Sequence, residues 1–202
     1  SGLAVAVGEF GAILRSSDNG KSWNPITVDW NLYNDEGYEP HLYDVAIRDA
    51  NTVVITGEFG LVLWSDDGGT TFLARHTGEE SIFALHLDAE GTGSSYAVGQ
   101  DGEVLRSQDS GITWSKLEAG SKANLLGVWS GQGEVVIVGI RELLRSSDDG
   151  ETWKRSEDLN ILRTWYQGVA AAVAEIEAPN GFLRTQIVYV AGYNATISRI
   201  LE

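Results

Sequence analysis

The chain has 202 residues, 43% of them apolar and 9% aromatic, the composition of a folded globular chain rather than a disordered one, and long enough for one substantial domain or a small multi-unit array. Twenty-four glycines against three prolines, many short β-branched runs and no stretch of 18 apolar residues exclude membrane-spanning helices and point to strands joined by tight turns. The net charge of −15, from 29 acidic and 14 basic residues, repels phosphate backbones and anionic lipid, so neither nucleic acid nor direct membrane insertion is expected.

The predicted class is all-β, and a repeat organises it. A first unit, about residues 1–28, opens with a strand at Leu3 to Val7 and runs through VGEFGAILR into Ser16 to Trp23, SSDNGKSW. The long connector Asp29 to His41 follows. A second unit, about 42–76, is expected to hold strands at Tyr43 to Arg48, Thr52 to Thr56, Leu61 to Ser65 and Thr71 to Arg75, with TGEFGLVLW leading into Ser65 to Phe72, SDDGGTTF. A third, about 82–118, repeats this with VGQDGEVLR and Ser107 to Trp114, SQDSGITW. A fourth, about 124–157, has the shorter lead-in VGIRELLR before Ser146 to Trp153, SSDDGETW. A fifth, about 164–202, pairs residues 164–178 with 182–191 across Pro179-Asn180-Gly181 and ends in AGYNATISR without a following box. The alternation in this last hairpin fits a strand extending beyond the unit, although its alanines also suit a short helix.

Four segments thus match S-x-D-x-G-x-[ST]-[WF], with central aspartates at 18, 67, 109 and 148. The expected structural residues are Asp18, Gly20 and Trp23; Asp67, Gly69 and Phe72; Asp109, Gly111 and Trp114; and Asp148, Gly150 and Trp153. Serine and aspartate bond nearby backbone, glycine takes a positive φ, and the aromatic starts the next strand with a large apolar face. The box therefore holds a hairpin and leaves little for chemistry. Arg15, Arg106 and Arg145 precede boxes ending in Trp, whereas Trp64 precedes the one ending in Phe72, which predicts that these two positions face each other across each hairpin.

The boxes resemble the Asp-box, or bacterial neuraminidase, repeat. With V-G-x-x-G-x-[IV]-L-R-S before them, they are most similar to the propeller family of the photosystem II stability/assembly factor and its bacterial relatives. That resemblance implies a β-propeller of four-stranded antiparallel blades, about five units of it present here, as part of a seven-bladed ring; a compact five-unit ring with irregular closure is the alternative. It also implies a binding scaffold that assists assembly of a membrane or multi-protein complex. The photosynthetic members are associated with a positive patch, from which this acidic chain departs, so a generic bacterial relative is expected. The missing initiator methionine reads as a processing boundary and suggests export to a periplasm, lumen or the outside.

If each box lies at one end of its blade, the Gly-x-x-Gly loops and the connectors lie at the other, where function is sought. The candidate partner-binding residues are Glu9, Phe10, Glu58, Phe59, Asp101, Arg141 and Tyr193 on the loops, and Trp30, Tyr33 and Tyr38 on the connector. Aromatic anchors within an acidic rim suit recognition of a protein; alternatively, the connector aromatics fold back to cap the blade. Exposed blade edges offer a further means of association.

Catalysis is not expected. The Arg-Ile-Pro signature of sialidases is missing, since Arg199-Ile200 runs into Leu201; Glu9, Glu58 and Asp101 could supply the two carboxylates of glycoside hydrolysis, but acids at turns are abundant in a chain this acidic. A carbohydrate-active propeller, lectin or glycosidase, is the second function class. No cofactor and no metal are expected: His41, His76 and His86 lack ligand spacing, and Asp29, Asn31, Tyr33 and Asp35 resemble a calcium loop without its glycine.

Overall fold

The computed structural model describes residues 2–33, 37–88, 93–178 and 181–200, and the side chains of all of these except 173–178 and 181–186. Among the described residues, eighteen strands form five antiparallel sheets in chain order. Sheet 1 holds β1 (Ala4–Val7), β2 (Ile13–Ser16) and β3 (Asn24–Pro25). Sheet 2 holds β4 (Leu42–Ile47), β5 (Val53–Gly57), β6 (Val62–Ser65) and β7 (Leu73–His76). Sheet 3 holds β8 (Ile82–His86), β9 (Ser95–Gly99), β10 (Val104–Ser107) and β11 (Ser115–Lys116). Sheet 4 holds β12 (Leu125–Gly131), β13 (Glu134–Gly139), β14 (Glu142–Ser146) and β15 (Lys154–Arg155). Sheet 5 holds β16 (Tyr166–Ala178), β17 (Gly181–Gly192) and β18 (Ile197–Ile200). The backbone of 166–178 is a strand along its whole length, paired from Tyr166 opposite Gly192 to Ala178 opposite Gly181.

Each sheet packs on the next, with their first strands β4, β8, β12 and β16 in succession and β1 against β4. Strand alternation shares each sheet between two neighbours. Within β5, Val53 and Ile55 join the apolar core towards sheet 1, while Val54 joins the core towards sheet 3. Within β13, Val135 and Ile137 face sheet 3 and Val136 and Val138 face sheet 5. Both faces of a middle strand are therefore buried, which is why VVITG and EVVIVG read as continuous apolar runs. Burying one such Val or Ile contributes about 1.5–3 kcal/mol.

The four first strands share one irregularity, a register shift that leaves Tyr43, Phe83, Leu126 and Gln167 as extra residues between Leu42/Asp44, Ile82/Ala84, Leu125/Gly127 and Tyr166/Gly168. A bulge re-aims the side chain it carries. Tyr43 and Phe83 meet edge to face here, centroids 5.3 Å apart.

Candidate functional site

The box turns occupy one end of the sheets, and their polar atoms are spent on the turn itself. Ser16 Oγ donates to Asp18 Oδ1 at 2.8 Å and accepts from Gly20 N at 2.9 Å. Asp18 in turn accepts from Ser22 N at 2.9 Å and Ser22 Oγ at 2.6 Å. The same set recurs around Asp67, Asp109 and Asp148. These donors favour the ionised carboxylate. The Ser22 hydroxyl above all holds Asp18 down to about 2, and the Thr152 hydroxyl does the same for Asp148. At Asp67 burial pushes upward, yet the Thr71 N–H and hydroxyl bring the group to about 2.

The arginine before each box does not face the aromatic of its own hairpin, contrary to expectation. Arg15 pairs across the hairpin with Asn24 and Arg106 with Ser115, one residue past the aromatic. Both arginines instead reach the box of the following sheet: Arg15 Nε donates to Gly68 O at 2.6 Å, and Arg106 donates to Asp149 O and Glu151 Oε1, each at 2.8 Å. Trp64 takes the corresponding direction, into the core with sheet 3, where Arg75 lies 4.8 Å from its ring centroid. The box aromatics face the preceding sheet, Phe72 with sheet 1, Trp114 with sheet 2 and Trp153 with sheet 3. Position within the repeat is thus a code for contacts between sheets.

The connector end is built differently. The loop apex of every sheet holds a residue with left-handed backbone: Phe10 (φ 52°), Phe59 (56°), Asp101 (49°), Arg141 (56°) and Asn194 (58°). Phe10 and Phe59 are 65% and 54% exposed. Phe10 meets His41 edge-on at 5.1 Å, and Phe59 meets Tyr38 at 5.5 Å. Glu58 gathers this cluster: Tyr38 Oη donates to its Oε2 at 3.1 Å, His41 N donates to the same oxygen at 2.9 Å, and Tyr43 Oη reaches Oε1 at 3.5 Å. Desolvation and then the Glu58 carboxylate raise both phenols above the usual tyrosine range, so they remain donors.

Trp30 and Tyr33 are folded inward, as in the capping alternative. Trp30 is 8% exposed and lies over Gly11, where a Cβ would come within 2.6 Å of its ring; Tyr33 Oη donates to Phe72 O at 3.1 Å. They nonetheless line a cavity of about 380 Å³ with Pro40, Glu58, Phe59, Leu61, Thr77 and Gly78. Tyr38, Glu58 and Phe59 are therefore brought together with Trp30 and Tyr33, and Phe10 is drawn in through His41. The remaining candidates stand apart. Glu9 is exposed, Asp101 Oδ2 accepts from Lys122 Nζ at 3.2 Å, Arg141 N donates to Thr164 O at 2.8 Å, and Tyr193 sits 6.1 Å from Trp165. Tyr43 and Phe83 are not singled out by the sequence because each falls in the first expected strand of its unit; the bulges turn them to the connector end. Asp29 Oδ1 accepts from Asn31 N and Nδ2, and Asp35 lies outside the described residues. Among the described residues, no group of three His, Asp or Glu side chains is placed to hold a metal ion.

A larger cavity, about 640 Å³, lies between sheets 4 and 5 and is lined by Arg145, Lys154, Arg155 and Arg199 among others. In sheets 1 to 4 the strand that leads into the box ends on its serine, Ser16, Ser65, Ser107 or Ser146; in sheet 5 the corresponding strand ends on Ile200. The space lies beside the box turn of sheet 4, away from the connector-end loops.

These five sheets, packed face to face in chain order about their first strands, define a β-propeller fold. The fold is similar to that of an ancestral GH74 enzyme, with a TM-score of 0.67 and 17% identity over 99% of this chain and 29% of that one. It is also similar to the GH74 enzyme of Niastella koreensis, with a TM-score of 0.59 and 17% identity over 98% of this chain and 28% of that one. The chain therefore spans less than a third of either enzyme's length. YCF48 bound to a D1 peptide aligns with 99% of this chain and 90% of its own, at 16% identity and a TM-score of 0.44. No protein-family model and no curated protein matches the sequence.

Proposed function

We propose that this chain is a non-catalytic propeller module that binds a protein partner through its connector end, in the assembly or stability of an exported or membrane-associated complex. The observation that carries this reading is the pair Phe10 and Phe59. Each is a bulky aromatic in left-handed backbone, a conformation that disfavours residues with a Cβ by roughly 1–2 kcal/mol, and each is more than half exposed. Beyond edge contacts with His41 and Tyr38, folding gains little from bulky rings at positions glycine would suit, so a role outside the fold supports their presence. Two of the carboxylates on this end are engaged by neighbours, Glu58 by Tyr38 and His41 and Asp101 by Lys122, which favours recognition over acid–base work. The recurrent serine–aspartate–glycine bonding supports assigning the turns to the Asp-box type.

Photo-crosslinking side chains at Phe10, Phe59 and Tyr193, compared with Lys21 and Ser110 at the box end, test this reading in native extracts. Crosslinks to one protein from the connector end alone are expected. Equal labelling from both ends would defeat it. Glycan-array binding abolished by Phe59→Gly, without protein crosslinks, would favour the carbohydrate-active alternative.

A further inference from the structure

The cavity between the connector and the loop of sheet 2 has a specific chemistry. Trp30 and Tyr33, centroids 6.2 Å apart and planes at 65°, form one part of its wall, and Phe59, backed edge-on by Tyr38, forms another. Pro40 and Leu61 add apolar surface, and Thr77 and Gly78 close it. At about 380 Å³ it lies at the low end of small-ligand pockets, sized for one long side chain rather than an oligosaccharide. Its walls are tied down: Tyr33 Oη to Phe72 O at 3.1 Å, Gly78 N to Phe59 O at 2.8 Å, and Trp30 against Gly11. The site is therefore preformed.

Glu58 supplies the charge in this lining. Its Oε2 already accepts from Tyr38 Oη and His41 N, whereas among the described residues Oε1 has the long 3.5 Å approach of Tyr43 Oη. Two carboxylate oxygens offer about four acceptor positions, so capacity remains on Oε1. An aromatic slot with a carboxylate at its rim, on a chain of net charge −15, is complementary to a flat cation on an aliphatic stem. Guanidinium stacks on aromatic faces and is weakly hydrated; a lysine ammonium is compact and holds its water more tightly.

We infer that this cavity seats an arginine side chain presented by a basic segment of the protein partner, its guanidinium stacked on the aromatic wall and donating to Glu58 Oε1. The inference rests on the protein-binding reading above and names what that site recognises. It is tested with Nα-acetyl-arginine methylamide and its lysine and norleucine analogues, each titrated into the isotope-labelled chain while the Trp30 indole and the Phe59 and Gly78 amides are followed by NMR.

Saturable shifts with the arginine probe are expected, several-fold weaker binding with lysine, and none with norleucine. Glu58→Gln keeps an acceptor for the His41 N–H but removes the charge, and weakens the arginine probe about tenfold or more. Phe59→Gly deletes the ring at a backbone position that suits glycine, and has the same effect while the chain stays folded. A norleucine response equal to that of arginine, tighter binding of lysine, an unchanged affinity in Glu58→Gln, or no saturable shift overturns the assignment. Those failures leave the crosslinking result untouched. Conversely, arginine shifts without connector-end crosslinks would overturn the partner and leave a site for a small cation.

Discussion

Phe59 and Phe10 are the side chains at which stability and function can be separated by a single substitution to glycine. Both sit where the backbone is left-handed, at φ 56° and 52°, and both present rings to solvent. Glycine relieves the clash of a Cβ with its own carbonyl but adds freedom to the unfolded chain, and these two effects are of similar size and opposite sign. Phe59→Gly and Phe10→Gly are therefore expected to shift unfolding stability by no more than about 1 kcal/mol in urea melts, while abolishing connector-end crosslinking. A loss of several kcal/mol would mean that the rings serve the fold, and the functional reading of the loops would fall with it. Trp30 behaves oppositely. Buried against Gly11, it serves the fold and the cavity wall at once, so Trp30→Ala is a poor test of binding.

At the scale of the element, the hairpin closed by a box is both a turn and a clamp on its neighbour. Gly111 has φ 88°, and a Cβ there would lie 2.9 Å from Val54 Cγ2 and 3.5 Å from Trp64, both in sheet 2. Gly111→Ala combines left-handed strain with a clash against a packed neighbour and should cost about 2 kcal/mol or more, read as a lower urea midpoint. Between sheets 3 and 4 the clamp is polar. Ser94 Oγ donates to Asp149 Oδ2 at 2.6 Å, and Asp149 O receives Arg106. A double-mutant cycle on Ser94→Ala and Asp149→Ala should give a coupling of about 1–2 kcal/mol; additivity would mean that the bond is idle. The strands and turns were legible in the sequence because glycine spacing, alternation and the box motif are local signals. The direction of Arg15 and Arg106 was not, since covariation between two positions says that they share a constraint without saying which sheet supplies it. The Glu58 cluster was half legible. Phe59, Tyr38 and Glu58 were found through their loops, but Tyr43 joins them only through a bulge, and an extra residue in a strand leaves no mark on composition.

Across the whole molecule the repeated aspartates make acid the condition that tests the fold as one object. The folded-state pKa values of Asp18, Asp67 and Asp148 are lowered from 3.8 to about 2, and that of Asp109 is lowered as well. A group depressed by folding stabilises the native state above its unfolded pKa and loses that contribution as pH falls towards its folded one. All four act in the same direction, one in each of sheets 1 to 4. Two effects oppose them. Burial raises Asp44, which accepts from Leu85 N, so its protonation favours the folded state; and a chain of net charge −15 sheds self-repulsion as its other carboxylates neutralise. Relief of repulsion extends over the ordinary carboxylate range, whereas the box contribution is lost lower, between about pH 4 and 2. From pH 7 to about 5 the buried His86, whose pKa burial lowers, withdraws a modest contribution, and below that the urea midpoint is expected to fall steeply towards pH 2. Asp148→Asn removes the charge and with it one share of that slope, so the variant should be less stable than the parent at pH 7 and should approach it near pH 2. A flat profile down to pH 2, or an unchanged slope in Asp148→Asn, would show that the turns hold their shape without help from ionised aspartate.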